Sequence, residues 1–153
     1  MITEHTENKN LFKISEIPDQ VLSEQQARQY SPLTLAFLGD SVYELMIRRT
    51  MIVQGNATVR HLHDAKVRLV CASYQAAVSD QLIFTEQEQA VFQRGRNAVT
   101  ANAIPRSAKP ADYRKATGLE AVFGYLYLCG NSGRLRELSG QIWDMQEEIF
   151  KKY

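Results

Sequence analysis

LAFLGDSVYELMIRRT, residues 35–50, spaces its apolar residues as one helical face and sets an acid, Asp40, among them. At 100° per residue, the face through Asp40 also holds Leu33, Ala36, Phe37, Tyr43, Glu44 and Ile47. Ser31-Pro32 reads as an N-cap followed by proline at the first helical position, and Gly55-Asn56 closes the helix after about Val53. The expectation is a long helix that aims a carboxylate at apolar neighbours. An isolated carboxylate so placed is costly, and it must find a cation, a set of donors or a proton.

Further along, ATGLEAVFGYLYL at 116–128 repeats the construction, with Glu120 surrounded by Tyr113, Ala116, Thr117, Phe123, Gly124 and Tyr127. If the two helices pack there, with Gly124 allowing close approach, the acids converge on one site. A hard divalent ion such as Mg²⁺, held by a few carboxylates and several waters, would suit it. The alternative is a pair of structural acids satisfied by Arg48, Arg49, Tyr43 or Tyr127, with Glu44 turned to solvent and paired with Arg48 at i+4. Spacing alone leaves both readings open and names no reaction.

Around these two helices the pattern predicts others over about 18–29, 58–77, from the capping box Thr85-x-x-Glu88 to Gly95, and over 134–151, with the second acidic helix at 112–128. No strand-like alternation and no internal repeat is evident. The expectation is an all-α chain: a polar tail at 1–15 and a single domain over 16–153. At 153 residues and 44% hydrophobic composition, a real core is available. The apolar runs are too short to span a bilayer, and residues 1–18 lack the apolar centre of a secretory signal, so a cytoplasmic location is expected. Cys71 and Cys129 have no CxxC spacing and read as small core residues, not as a zinc site or a disulfide.

The net charge of +1 hides a patch. Between 94 and 115 stand Arg94, Arg96, Arg106, Lys109, Arg114 and Lys115, against Asp112 alone. Residues 96–110 lack periodicity and contain Pro105 and Pro110, which marks a functional loop suited to an anionic partner. Arg60, His61, His63, Lys66 and Arg68 form a weaker basic strip. His61 and His63, two apart, share no helical face and are not read as metal ligands.

FLGDSVYE at 37–44, RGRNA at 94–98 and TGLEAVFGYLYL at 117–128, in this order, resemble the ribonuclease III domain family. More specifically they are similar to its Mini-ribonuclease III branch, the short bacterial form without a double-stranded-RNA-binding domain. The resemblance covers about residues 27–140. It implies the helical bundle of the ribonuclease III endonuclease domain, a homodimer with an apolar face through residues such as Phe37 and Leu38, and cleavage of double-stranded RNA on both strands. It implies that Asp40 and Glu120 are the catalytic, metal-associated acids, and that the ion is Mg²⁺ with Mn²⁺ as substitute. Hydrolysis would leave 5′ phosphates and 3′ hydroxyls. Two positions depart from the larger enzymes: Ala36 and Thr117 stand where those have acids, and Glu44 would compensate as an outer-shell acid. Without a separate RNA-binding domain the duplex must be gripped by the catalytic domain itself, and Arg94, Arg96, Asn97, Arg106 and Lys109 are the candidates. The implied substrate is precursor ribosomal RNA, at the ends of 23S rRNA, met in a pre-ribosome or ribosomal-protein context. The competing expectation is a ribonuclease III fold that has lost catalysis and serves as an RNA-binding or ribosome-assembly module; the missing acids motivate it, and retention of Asp40 and Glu120 opposes it.

Overall fold

The computed structural model describes residues 21–152; the tail expected at 1–15, and the start of the helix expected over 18–29, lie outside them. Eight α-helices make up the described chain: α1 Glu24–Arg28, α2 Pro32–Gln54, α3 Val59–Val70, α4 Ala72–Ser79, α5 Glu86–Ala98, α6 Pro110–Leu128, α7 Ser132–Asp144 and α8 Gln146–Lys151. A 3₁₀ turn, Ala101–Ala103, interrupts the connection between α5 and α6, and no strand occurs among the described residues. No helix there is long and apolar enough to cross a membrane.

From Ala116 to Leu126 every residue of α6 except Glu120 is buried. A helix apolar on all sides has to be enclosed. It is packed against α2, α4 and α5, with α7 and α1 completing the shell. Two crossings rest on glycines. A Cβ built on Gly39 of α2 would fall into the Glu120 carbonyl and lie 2.7 Å from the Gly124 nitrogen, and one on Gly124 would strike the Leu35 carbonyl. Gly95 of α5 lies against α6, where a built Cβ would fall 2.9 Å from the Ala121 Cβ and 3.0 Å from the Gly118 Cα. The close approach expected of Gly124 is thus present, and Gly39 is its partner. Gly95, read as a helix stop, instead lies inside α5, which runs on to Ala98.

The capping box is formed as expected. Glu88 N donates to Thr85 Oγ1 and Thr85 N to Glu88 Oε1, each at 3.2 Å. Glu88 is also 2% exposed and bound by Arg134, whose Nε donates at 3.0 Å to both carboxylate oxygens and whose Nη2 donates to the Ile83 carbonyl. This buried pair ties the start of α5 to the start of α7. Ser31 occupies the N-cap of α2 with Pro32 behind it, but its side chain makes no capping bond.

Two expected helices are each divided. The stretch read as continuous over 58–77 breaks at Cys71, whose backbone is extended (φ −69°, ψ 155°). The carbonyls so released are taken by side chains: Tyr43 Oη donates to Leu69 O at 2.8 Å, and Gln75 Nε2 to Val70 O at 2.9 Å. The stretch over 134–151 breaks at Met145, and there Tyr74 Oη donates to Ile142 O at 2.6 Å and Gln146 Nε2 to Trp143 O at 2.9 Å. Satisfied carbonyls make these ends stable without glycine or proline.

Gly124→Ala places a methyl against backbone that cannot yield, so it is expected to destabilise the protein by at least about 3 kcal/mol in urea denaturation. Gly140→Ala, in the interior of α7 with nothing within 4 Å, is expected to stabilise it by about 0.5–1 kcal/mol.

Candidate active site

α2 and α6 carry the two acids, and the glycine crossing fixes how near they come. Asp40 follows Gly39, and the Glu120 carbonyl is the group that Gly39 abuts. Both acids line one cleft of about 290 Å³, together with Leu33, Ala36, Phe37 and Thr117. Its far wall is the connection between α5 and α6, through Val99, Thr100 and Ala103. Ala36 and Thr117, the two positions that depart from the acidic pattern, therefore face the same space. Thr117 adds no charge, and its hydroxyl donates to the Tyr113 carbonyl at 3.0 Å.

Asp40 is exposed rather than aimed into the core, which corrects the expectation from periodicity. The buried stripe of α2 is Leu35, Ala36, Gly39, Val42, Tyr43, Ile47 and Met51; it shares Ala36, Tyr43 and Ile47 with the expected face but leaves Asp40 outside. Leu33 and Phe37, counted there as core neighbours, are 47% and 84% exposed. The cost of burial falls instead on Glu120. Burial, and then the charge of Asp40, push its carboxyl up to about 7, and a hydrogen bond from Gln75 works against both. That bond runs from Gln75 Nε2 to Glu120 Oε1 at 3.2 Å.

Neither acid is satisfied in the way the structural reading required. Tyr43 is engaged with Leu69 and Tyr127 is exposed, while Arg48 pairs with Glu44 at 3.0 Å. Among the described residues no Lys or Arg forms an ion pair with Asp40 or Glu120, and no third acid, His or Cys completes a cluster with them. Two carboxylates facing one cleft without a cation are a donor set that fits a hard divalent ion carrying waters on its remaining positions. Glu44 sits elsewhere: besides Arg48 it binds Lys66 at 3.3 Å, and it does not line the cleft. His61 and His63 line different clefts.

The basic segment divides in two. Arg94 donates to the Arg28 and Tyr30 carbonyls at 2.8 and 3.2 Å, securing the end of α1. Arg114 donates to the Val99 carbonyl, and Lys115 pairs with Asp80 at 2.7 Å. Arg96, Arg106 and Lys109 make no ion pair among the described residues. Arg96 and Asn97 belong to the last turn of α5, not to a loop as read from sequence; Arg106 lies in the connection, and Lys109 caps α6. The sequence reading passed over Gln75, whose only signal was a polar residue inside the apolar run YQAAV.

The Ribonuclease III domain family matches residues 33–131, which include both acids and the connection between α5 and α6. The chain is 48% identical over 109 residues to a Mini-ribonuclease 3 of Symbiobacterium thermophilum, covering 70% of this chain and 83% of that one. It is 40% identical to a Mini-ribonuclease 3 of a Thermoanaerobacter species over 80% of this chain and 89% of the relative. The chain belongs to the Mini-ribonuclease III family. A crystal structure of a protein from Fusobacterium nucleatum superposes with a TM-score of 0.69 at 30% identity, covering 78% of this chain and 96% of that one. As a Mini-ribonuclease III, the protein is an endoribonuclease on the all-α ribonuclease III domain fold.

In the metal-free protein, folding raises the affinity of Glu120 for its proton. Its contribution to stability is therefore present below about pH 4.5 and is lost as pH rises toward 7. Denaturation midpoints of metal-free protein are expected to fall across that window, with a slope from this group of at most about 1.4 kcal/mol per pH unit. In Asp40→Asn the Glu120 carboxyl, followed by ¹³C NMR, is expected to titrate lower than in the wild type but still above 4.5, because burial is the larger cause.

Proposed function

We propose that this Mini-ribonuclease III hydrolyses double-stranded RNA with the help of Mg²⁺ held between Asp40 and Glu120. The observation that carries the reading is the meeting of these two acids, without a cation, in a cleft walled by the basic connection. A divalent ion bound there supplies activation of water, polarisation of the scissile phosphate and stabilisation of the leaving 3′ oxygen, and Mn²⁺ can take its place. The chain's own part is to hold and to orient. Asp40 offers an exposed carboxylate at the mouth, and Glu120 a half-buried one deeper in, with Oε1 engaged by Gln75. Arg96, Asn97, Arg106 and Lys109 supply the phosphate and 2′-hydroxyl contacts by which an A-form duplex is gripped. Arg94 belongs to this set only through its charge, since its guanidinium already serves two carbonyls. Glu44, bound to two cations, is left out of the ligand set.

The working unit proposed is a homodimer. Phe37 and Leu33 form an exposed apolar rim on the cleft that a second copy would cover, whereas Leu38 is half-buried and packs against the core. The substrate proposed is precursor ribosomal RNA at the 23S ends, encountered in the cytoplasm within a pre-ribosome or beside a ribosomal protein; its support is the family resemblance.

A long RNA duplex incubated with Mg²⁺ or with chelator tests the reading. Wild type with Mg²⁺ is expected to leave 5′-phosphate ends, and Asp40→Asn and Glu120→Gln are each expected to lose at least about 100-fold in rate. Wild type and Asp40→Asn equally inert, both still shifting the duplex on a gel, would make the protein an RNA-binding module instead. The Arg106→Ala, Lys109→Ala double variant is expected to weaken duplex binding and to flatten the slope of log affinity against log salt by about two.

A further inference from the structure

Gln75 is 3% exposed, among the buried residues of α4. Both of its N–H bonds are used. One goes to the Val70 carbonyl at 2.9 Å and the other to Glu120 Oε1 at 3.2 Å. Because both partners are acceptors, the amide cannot be turned over without setting oxygen against oxygen, so nitrogen is fixed at this end. Its Oε1 is buried with no partner. A buried glutamine whose acceptor is unused and whose two donors are both committed is held in place for its donors.

The break at Cys71 is what makes the bridge available. In a continuous helix the Val70 carbonyl would accept from the backbone N–H four residues on, at Tyr74. The extended Cys71 backbone frees that carbonyl, and the Gln75 amide takes it. The backbone of α3 thereby becomes an anchor from which the second N–H reaches Glu120 on α6. Satisfying Val70 needs one donor, so the second has only Glu120 to serve.

We infer that Gln75 is the positioning residue of the active site, bridging the fixed Val70 carbonyl to Glu120 so that this carboxylate faces Asp40 before any ligand arrives. The inference rests on reading Asp40 and Glu120 as the metal-holding pair. It is a role exerted through Glu120: Gln75 does not line the cleft.

Gln75→Met keeps the length and apolar bulk of the side chain and removes both donors. Mn²⁺ binding to RNA-free protein, followed by electron paramagnetic resonance, is expected to weaken by about 10- to 100-fold. kcat on duplex RNA is expected to fall by a similar factor while KM stays unchanged, because the phosphate-facing cations are untouched. In a Glu120→Gln background the same substitution is expected to change Mn²⁺ affinity no further, as required of a group that acts through Glu120. Wild-type affinity in Gln75→Met, or a full effect persisting in the Glu120→Gln background, would overturn the inference. A measurement on the unaltered chain guards against a variant that does not fold: the ¹⁵N-resolved side-chain amide of Gln75 is expected to shift on addition of Mg²⁺ in wild type and not in Glu120→Gln. No shift in wild type that does bind Mg²⁺ would equally overturn it. Asp40→Asn in parallel separates the two levels. If it abolishes Mn²⁺ binding and Gln75→Met does not, only the role of Gln75 falls; if Asp40→Asn binds normally, the metal-holding pair falls and Gln75 with it.

Discussion

The contact on which this molecule depends contains no side chain. Where α2 crosses α6, Gly39 lies against the Glu120 carbonyl and Gly124 against the Leu35 carbonyl, so the two backbones touch. Any other residue at either position would hold the helices apart by the width of a methyl group or more. The acids stand beside this crossing, so backbone contact sets how near the two helices bring them. Between Ala116 and Leu126, α6 is buried at every residue except Glu120, so enclosing the helix leaves this carboxylate at the edge of the cleft. The second glycine crossing, Gly95 on Gly118, holds α5 against α6 and brings the connection between them over that opening.

Electrostatics follow from this geometry. Glu120 carries a raised proton affinity because it is half-enclosed and because Asp40 shares its cleft, and no lysine or arginine among the described residues relieves the pair. The chain does not lack cations. It assigns them elsewhere: Lys66 and Arg48 to Glu44, Lys115 to Asp80, Arg134 to Glu88. An acidic pair left bare amid paired acids is unsatisfied locally, and that is the physical basis for placing a divalent ion there. The same sorting separates the basic segment into residues that secure the fold, Arg94 and Arg114, and residues with no ion pair among the described ones, Arg96, Arg106 and Lys109.

Much of this was legible in the sequence, and the failures have physical causes. Caps, prolines and glycine stops act within a few residues, so the start of α2, the capping box of α5 and the glycine that closes α2 could be read directly. The two acidic helices were legible because each acid interrupts an apolar pattern. The break at Cys71 was not, because the groups that stabilise it come from Tyr43, 26 residues from its acceptor Leu69, and from the side chain of Gln75. The exposure of Asp40 was missed because α2 is apolar around more than half its circumference. A helical wheel cannot say which part of so wide an apolar surface meets the core, and Phe37 fell on the outside. Arg94 was misleading for a related reason. A charge in a basic segment reads as surface until its acceptors are known, and these were the carbonyls of Arg28 and Tyr30, more than 60 residues away.

The two acids are not equivalent, and the difference bears on how a reduced acidic set can work. Asp40 is exposed and on a short side chain, so water reaches it easily. Glu120 is longer and half-buried, and without a restraint its extra rotamers would compete with the one that faces Asp40. The Val70–Gln75–Glu120 chain of bonds supplies that restraint from the backbone outward. Ala36 and Thr117 leave space instead of charge in the cleft, so under the proposed reading water would complete the coordination of the ion and the protein would have only two carboxylates to hold in place. One is fixed by the glycine crossing and its short side chain, the other by a buried amide. Fewer ligands make the placing of each count for more, so a buried glutamine with an unused acceptor is tolerated beside one of them.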